Sequence, residues 1–191
     1  MLSGKKILLG VTGGIAAYKS ASLVRLLIKE GALVQVIMTP SSKNFITPLT
    51  LSTLSNNPVF STFSDNESGE WNSHVELALW ADLFVIDPAT SNTLAKMATG
   101  ICDNLLLATY FSAKSKVFIA PAMDLDMFLH PVITKNISQL ENLNQQIIKP
   151  TQGERQNGLV GEGRMGDHEE IVNQIKDYFN NSLVLPKKKV L

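Results

Sequence analysis

Four short apolar runs set the fold: "KILLGV" (6–11), "LVQVIMT" (33–39), "LFVID" (83–87) and "KVFIAP" (116–121). Each is rich in Val, Ile and Leu and mostly continuous rather than alternating. That is the pattern of parallel strands covered on both faces. Parallel strands need crossover connections, and helical segments separate these runs. Residues 15–30 place Ala17, Ala21, Val24 and Ile28 on one helical face and stop at Gly31. In "ITPLTLSTLS", Thr47 is the expected N-cap and Pro48 a first-turn proline. Further helix is predicted over 90–98, 104–113, 131–142 and 168–180. The alternation predicts one α/β domain with a Rossmann-like (flavodoxin-like) doubly wound parallel sheet.

In such sheets ligands bind beyond the carboxyl ends of the strands. Those ends carry "TGG" (12–14), "TPSS" (39–42), "DPATSNT" (87–93) and "PAMD" (121–124). A dinucleotide turn would read G-x-G-x-x-G, with an acidic residue about 20 positions later for the ribose. Here the turn is T-G-G-I-A-A, and the second strand ends in "MTPSS" without a carboxylate. Hydroxyls there suit a phosphate, whereas a carboxylate would repel one. The turn reads as a mononucleotide phosphate cradle, with a tight turn that simply needs glycine as the competing reading. Thr90, Ser91, Asn92 and Thr93 follow the third run, and a planar polar ring would use all four. An over-provided N-cap is the plainer alternative.

Composition narrows the partners. Seventeen basic residues balance seventeen acidic ones, so charge gives no reason to expect nucleic acid or anionic membrane. With 45% hydrophobic and 18% charged residues in 191, a single globular core is expected. One cysteine, Cys102, allows no internal disulfide and fits a reducing compartment. The apolar run after Met1 is too short for a signal peptide, and no segment reaches the roughly 18 apolar residues of a membrane span. A soluble, cytoplasmic protein without metal is expected.

Together the motifs resemble the homo-oligomeric flavin-containing cysteine decarboxylases. "GGIAAYK" resembles the family's N-terminal flavin turn, and "PATSNT" its P-A-S-A-N-T segment. "SHVELALWAD" carries His74 at the position of the family's active-site histidine. "PAMDLDM" resembles P-A-M-N-x-x-M, and "GLVGEGRM" resembles the substrate clamp ending in G-R-M. These five motifs occur in family order over about residues 4–180.

The resemblance implies FMN as cofactor and decarboxylation of phosphopantothenoylcysteine to phosphopantetheine, a step of coenzyme A biosynthesis. The implied chemistry oxidises the thiol to a thioaldehyde, loses carbon dioxide to give an enethiolate, and then restores the electrons. By resemblance, Gly13, Gly14, Ile15, Thr39 and Ser41 hold the ribityl phosphate. Thr90, Ser91, Asn92, Thr93 and Ala122 complete the cofactor site, and Asp124, Met127, Arg164 and Met165 meet substrate. His74 moves protons, since imidazole titrates near neutrality. His130 and His168 are assigned to structure or surface. Two departures stand out: Asp124 replaces the family asparagine, and Asn157 stands where the clamp has its cysteine. Cys102 lies in an ordinary family segment and is expected to be buried.

The family also implies trimers with flavin sites at subunit interfaces, and assembly into dodecamers. "PKKKVL" resembles the first strand of a fused CTP-dependent phosphopantothenate–cysteine ligase domain, with a charged, frayed tail as the alternative. The expected division is therefore residues 1–181 for the flavin domain and 182–191 for a linker and the start of a truncated ligase. Two alternatives remain: a peptidyl-cysteine decarboxylase, and a non-catalytic flavin-binding regulatory subunit.

Overall fold

All four predicted strands form in the computed structural model, which describes residues 1–64, 69–148 and 167–184. The strands are β1 (Lys6–Val11), β2 (Leu33–Met38), β3 (Val59–Phe60), β4 (Leu83–Ala89), β5 (Lys116–Pro121) and β6 (Gln146–Ile147). They form one sheet in the order β3-β2-β1-β4-β5-β6, and every pairing is parallel. The helices are α1 (Ser20–Lys29), α2 (Pro48–Ser55), α3 (His74–Trp80), α4 (Ser91–Thr99), α5 (Leu105–Ser112), α6 (Leu125–Leu129), α7 (Pro131–Asn142) and α8 (His168–Val184).

The central strands are continuous in apolar sequence because both faces are covered. Ile7, Leu9 and Val11 of β1 enter one core with Leu23 and Leu27 of α1, Leu51 of α2 and Ile171 and Ile175 of α8. Leu8 enters the other, with Phe84, Ile86, Leu94, Leu106 and Leu140. Gly10 is required on that second face. A Cβ there would sit 3.1 Å from both Leu106 and Phe84, so α5 packs almost against bare backbone.

Local signals hold where caps fix them. Thr47 Oγ1 accepts from the Thr50 N–H at 3.1 Å and starts α2 at Pro48. Gly31 follows α1 with φ of +87°, a conformation that glycine adopts freely. The predicted face of α1 is shifted, however. Leu23, Val24 and Leu27 are fully buried, while Ala21 and Ile28 lie at the margin. Residues Ile15–Lys19 form a 3₁₀ turn with about three residues per turn, which changes the angular phase of all that follows. Cys102 is exposed rather than buried, in the loop between α4 and α5. α8 continues to Val184, beyond the boundary expected at 181, and residues 185–191 lie outside the described residues. Among the described residues, no helix is long and apolar enough to cross a membrane.

Leu23→Ala should therefore destabilise the fold by about 2–5 kcal/mol, and Ile28→Ala by much less. Chemical denaturation of the two variants compares them directly, and equal losses would restore the predicted face.

Candidate functional site

The strand order reverses between β1 and β4, and their exits separate to leave a crevice at the carboxyl edge of the sheet. A cleft of about 790 Å³ opens there, within the usual range of cofactor sites. Its walls come from all four predicted strand ends: Gly13–Ile15, Thr39–Ser41, Thr90–Thr93 and Ala122–Asp124 with Met127. The exits are laced together by the Thr12 hydroxyl and by main-chain bonds. Thr12 Oγ1 donates to the Pro88 carbonyl at 2.6 Å and accepts from the Thr90 N–H at 3.0 Å. The Ala122 N–H donates to the Ala89 carbonyl at 3.0 Å.

At the glycine turn, a Cβ on Gly13 would fall 2.3 Å from Ser41 Oγ and 2.9 Å from the Ser41 carbonyl carbon. Only a bare backbone fits. Gly14 begins the 3₁₀ turn, and no side chain caps its first N–H groups. Across from them, the Thr39 and Ser41 hydroxyls lie 3.2 Å apart. Bare N–H donors facing paired hydroxyls form a cradle that suits a phosphate.

The hydroxyl-rich segment after β4 divides its labour. Thr90 Oγ1 caps α4 by accepting from the Thr93 N–H at 3.4 Å, and it also donates to Thr93 Oγ1 at 3.3 Å. Ser91 and Asn92 have no side-chain hydrogen bonds among the described residues, so their polar atoms are available to a ligand. Asp124 is likewise a cap: its Oδ1 accepts from the Met127 N–H at 2.8 Å and starts α6. An asparagine could make that bond as well. What the carboxylate changes is the charge it adds to the cleft wall.

Three charged cleft residues escaped the sequence reading. Lys19 ends the 3₁₀ turn, and Lys96 and Asp103 form an ion pair of 2.5 Å. Lys96 stands four residues after Asn92, on the same face of α4, and that spacing was the one available signal.

His74 does not line this cleft. It is the first residue of α3, at the same sheet edge, with its ring 6.2 Å from that of Phe63 in an edge-on contact. Its Nδ1 is buried without a hydrogen-bond partner among the described residues. Asn157, Arg164 and Met165 lie outside the described residues. His130 serves structure, its Nδ1 accepting from the Val132 N–H at 3.3 Å to cap α7.

Beneath the cleft floor is a group the sequence reading passed over. The Asp87 carboxylate is fully buried, with His168 Nε2 at 3.4 Å from Oδ2. Burial raises its pKa above the ordinary carboxylate value, and the His168 and Lys19 charges oppose that rise.

A family model described as flavoprotein matches residues 1–180. A cysteine/cysteine sulfinic acid decarboxylase from an unknown prokaryotic organism is 53% identical over 142 residues, 74% of this chain and 40% of that protein. The coenzyme A biosynthesis bifunctional protein CoaBC of Vibrio parahaemolyticus is 42% identical over 190 residues, 100% of this chain and 47% of that protein. The chain thus spans less than half the length of these curated relatives. Among solved structures, a cysteine-to-serine mutant of PPC decarboxylase complexed with pantothenoylaminoethenethiol superposes with a TM-score of 0.78. It is 30% identical, over 93% of this chain and 99% of that one.

Two outcomes follow from this geometry. Gly13→Ala should weaken flavin binding about tenfold or more and also lower the melting temperature, because the new Cβ meets the Ser41 main chain as well as its hydroxyl. Titrating the apoprotein with FMN, followed by flavin fluorescence, measures the loss. The second concerns Asp87, whose native carboxyl holds its proton more tightly than it does in the unfolded chain. Its contribution is complete below the unfolded value of about 4 and is lost as pH rises through the raised native value. Asp87→Asn should lack that decline, so its melting temperature should gain on wild type from pH 4 towards 7.

Proposed function

Because the chain belongs to the flavoprotein family, we propose that it is the FMN-dependent decarboxylase of phosphopantothenoylcysteine, the flavin part of a coenzyme A biosynthesis protein. The observation that carries this reading is the cleft itself. A phosphate cradle at Gly13–Ile15 and Thr39–Ser41 stands across the β1–β4 crevice from unpaired polar atoms on Ser91 and Asn92. The likeness to a structure complexed with pantothenoylaminoethenethiol supports the substrate. A fused CTP-dependent ligase domain and a cytoplasmic location belong to the same reading, supported by a CoaBC relative of which the chain covers 47%; the division expected at residue 181 falls inside α8, which runs to Val184.

Bound in the cleft, FMN supplies the two-electron oxidation of the substrate thiol that gives carbon dioxide a route of departure. The chain's own residues supply position and protons. The Gly13, Gly14 and Ile15 main chain with Thr39 and Ser41 fixes the phosphate. Asn92, Ser91 and Ala122 fix the ring edge, with Thr90 and Thr93 bracing the α4 start. Asp124, Met127, Arg164 and Met165 position the substrate, and His74 exchanges its protons. An asparagine amide cannot donate the closing proton as a thiol would, so with Asn157 in the clamp a water takes that part. Without such a donor the product leaves as the enethiol, two hydrogens short, and an external oxidant such as dioxygen takes the electron pair.

His74 lies off its own chain's cleft, so we assign it to the cleft of a second copy in a trimer or dodecamer. Exposed apolar side chains support such a contact: Trp71 beside α3, Val75 and Leu79 on it, and Ile15 and Tyr18 at the cleft mouth. Mixing two inactive variants, His74→Asn and Asn92→Ala, tests this. Random assembly at equal amounts should restore about a quarter of the sites. Activity no greater than that of the separate variants would remove His74 from the neighbour's cleft.

The 53% identity to a cysteine/cysteine sulfinic acid decarboxylase favours a second reading, in which a free amino acid is the substrate. Asp124 suits it, since a carboxylate on the cleft wall attracts a free ammonium that an acylated cysteine lacks. Anaerobic incubation with phosphopantothenoylcysteine, cysteine or cysteine sulfinic acid, with products identified by mass spectrometry, separates the two. Decarboxylation of phosphopantothenoylcysteine alone supports the first reading, and of the free amino acids alone the second. Absence of carbon dioxide from all three would end both.

A further inference from the structure

The β4 exit bears much of the cleft wall, and nearly every main-chain group along it has a partner. Asp87 O accepts from Ser20 Oγ at 2.9 Å, Pro88 O from Thr12, and Ala89 O from Ala122. The Thr90 N–H reaches Thr12. The Asp87 side chain is the exception. Neither oxygen receives a hydrogen bond of ordinary geometry among the described residues, although both are fully buried. The group that meets it is His168, whose side chain is 10% exposed and whose Nε2 has no other partner among the described residues.

His168 is also the first residue of α8. That helix packs on the core through Ile171, Val172 and Ile175, on the α1 face of the sheet. The Asp87–His168 contact is therefore where the last helix touches the strand end that carries the cleft. A buried carboxylate without its partner is costly and must either take up a proton or move. The other charge acting on it is Lys19, which itself lines the cleft. Any shift of Asp87 towards Lys19 would carry Pro88 and Thr90 with it.

We infer that His168 is a positioning residue for the flavin cleft: paired with Asp87, it fixes the β4 exit on which Pro88 and Thr90 are mounted. This rests on the reading that the cleft holds FMN, and it makes a specific claim about how α8 bears on a site it does not line. Removing one member of a buried pair leaves an uncompensated group, whereas removing both leaves an apolar site of lower cost. The two kinds of variant should therefore separate.

The test measures FMN dissociation constants and melting temperatures for wild type, His168→Ala, Asp87→Ala and the double variant. The expected result is FMN binding about tenfold weaker in His168→Ala, with recovery to about threefold of wild type in the double variant. His168→Gln, which keeps a donor, should fall between wild type and His168→Ala. Unchanged FMN affinity in His168→Ala, whatever its melting temperature, would overturn the inference. So would a double variant as weak as His168→Ala. If His168→Ala does not fold, the double variant and His168→Gln still decide the matter by the same constants. Wild type that fails to bind FMN would instead overturn the underlying reading of the cleft.

Discussion

Everything at the functional edge depends on the pairing of β1 with β4. The two strands run parallel in register from Ile7 opposite Leu83 to Gly10 opposite Ile86, with both faces of each strand buried. Strands before β4 extend the sheet in one direction and β5 and β6 extend it in the other, so connections from this pair leave to opposite sides. A crevice at their carboxyl ends is unavoidable, and the sequence lines it with glycine, hydroxyls, two asparagine amides and a few charges. Thr12 closes the base of that crevice by bonding across it to both Pro88 and Thr90. The glycine turn and the hydroxyl-rich turn are thus parts of one rigid unit.

Much of this was legible in the sequence because burial on both faces leaves a plain signature. β1 and β5 were read to the residue, since nothing polar interrupts them before a turn signal. β3 and β6 were not read, because two residues carry no period. α6 is a single capped turn, and its signal lay in Asp124, which was read for substrate contact instead. The α1 face was misplaced because a 3₁₀ start is indistinguishable in sequence from an α-helical one. The cleft's glycines and hydroxyls were legible because a strand-to-helix turn places them. Lys19, Lys96 and Asp103 were not, since a charged residue on a helix or loop reads as solvated until a neighbouring segment is brought to it. The Asp87–His168 contact was beyond reach for the same reason, with its partners 81 positions apart in the chain.

Asp124 shows how a structural duty and a chemical one can share a side chain. The cap bond occupies one carboxylate oxygen and anchors α6, so the orientation of the group is set before any ligand arrives. Asparagine would cap equally well while offering a donor to the cleft. The difference between the two residues is therefore felt by the ligand and hardly at all by the fold.

The two-residue edge strands have a further consequence. A long exposed edge offers unpaired main-chain groups as a template for another chain. Among the described residues, β3 and β6 end the sheet after only two paired residues on each side. Strand-to-strand extension through these two edges has little to build on, so side chains on helices and loops are the surfaces they leave for self-association. Such surfaces can change residue by residue while the sheet beneath them stays as it is, leaving the mode of assembly free to diverge under one unchanging scaffold.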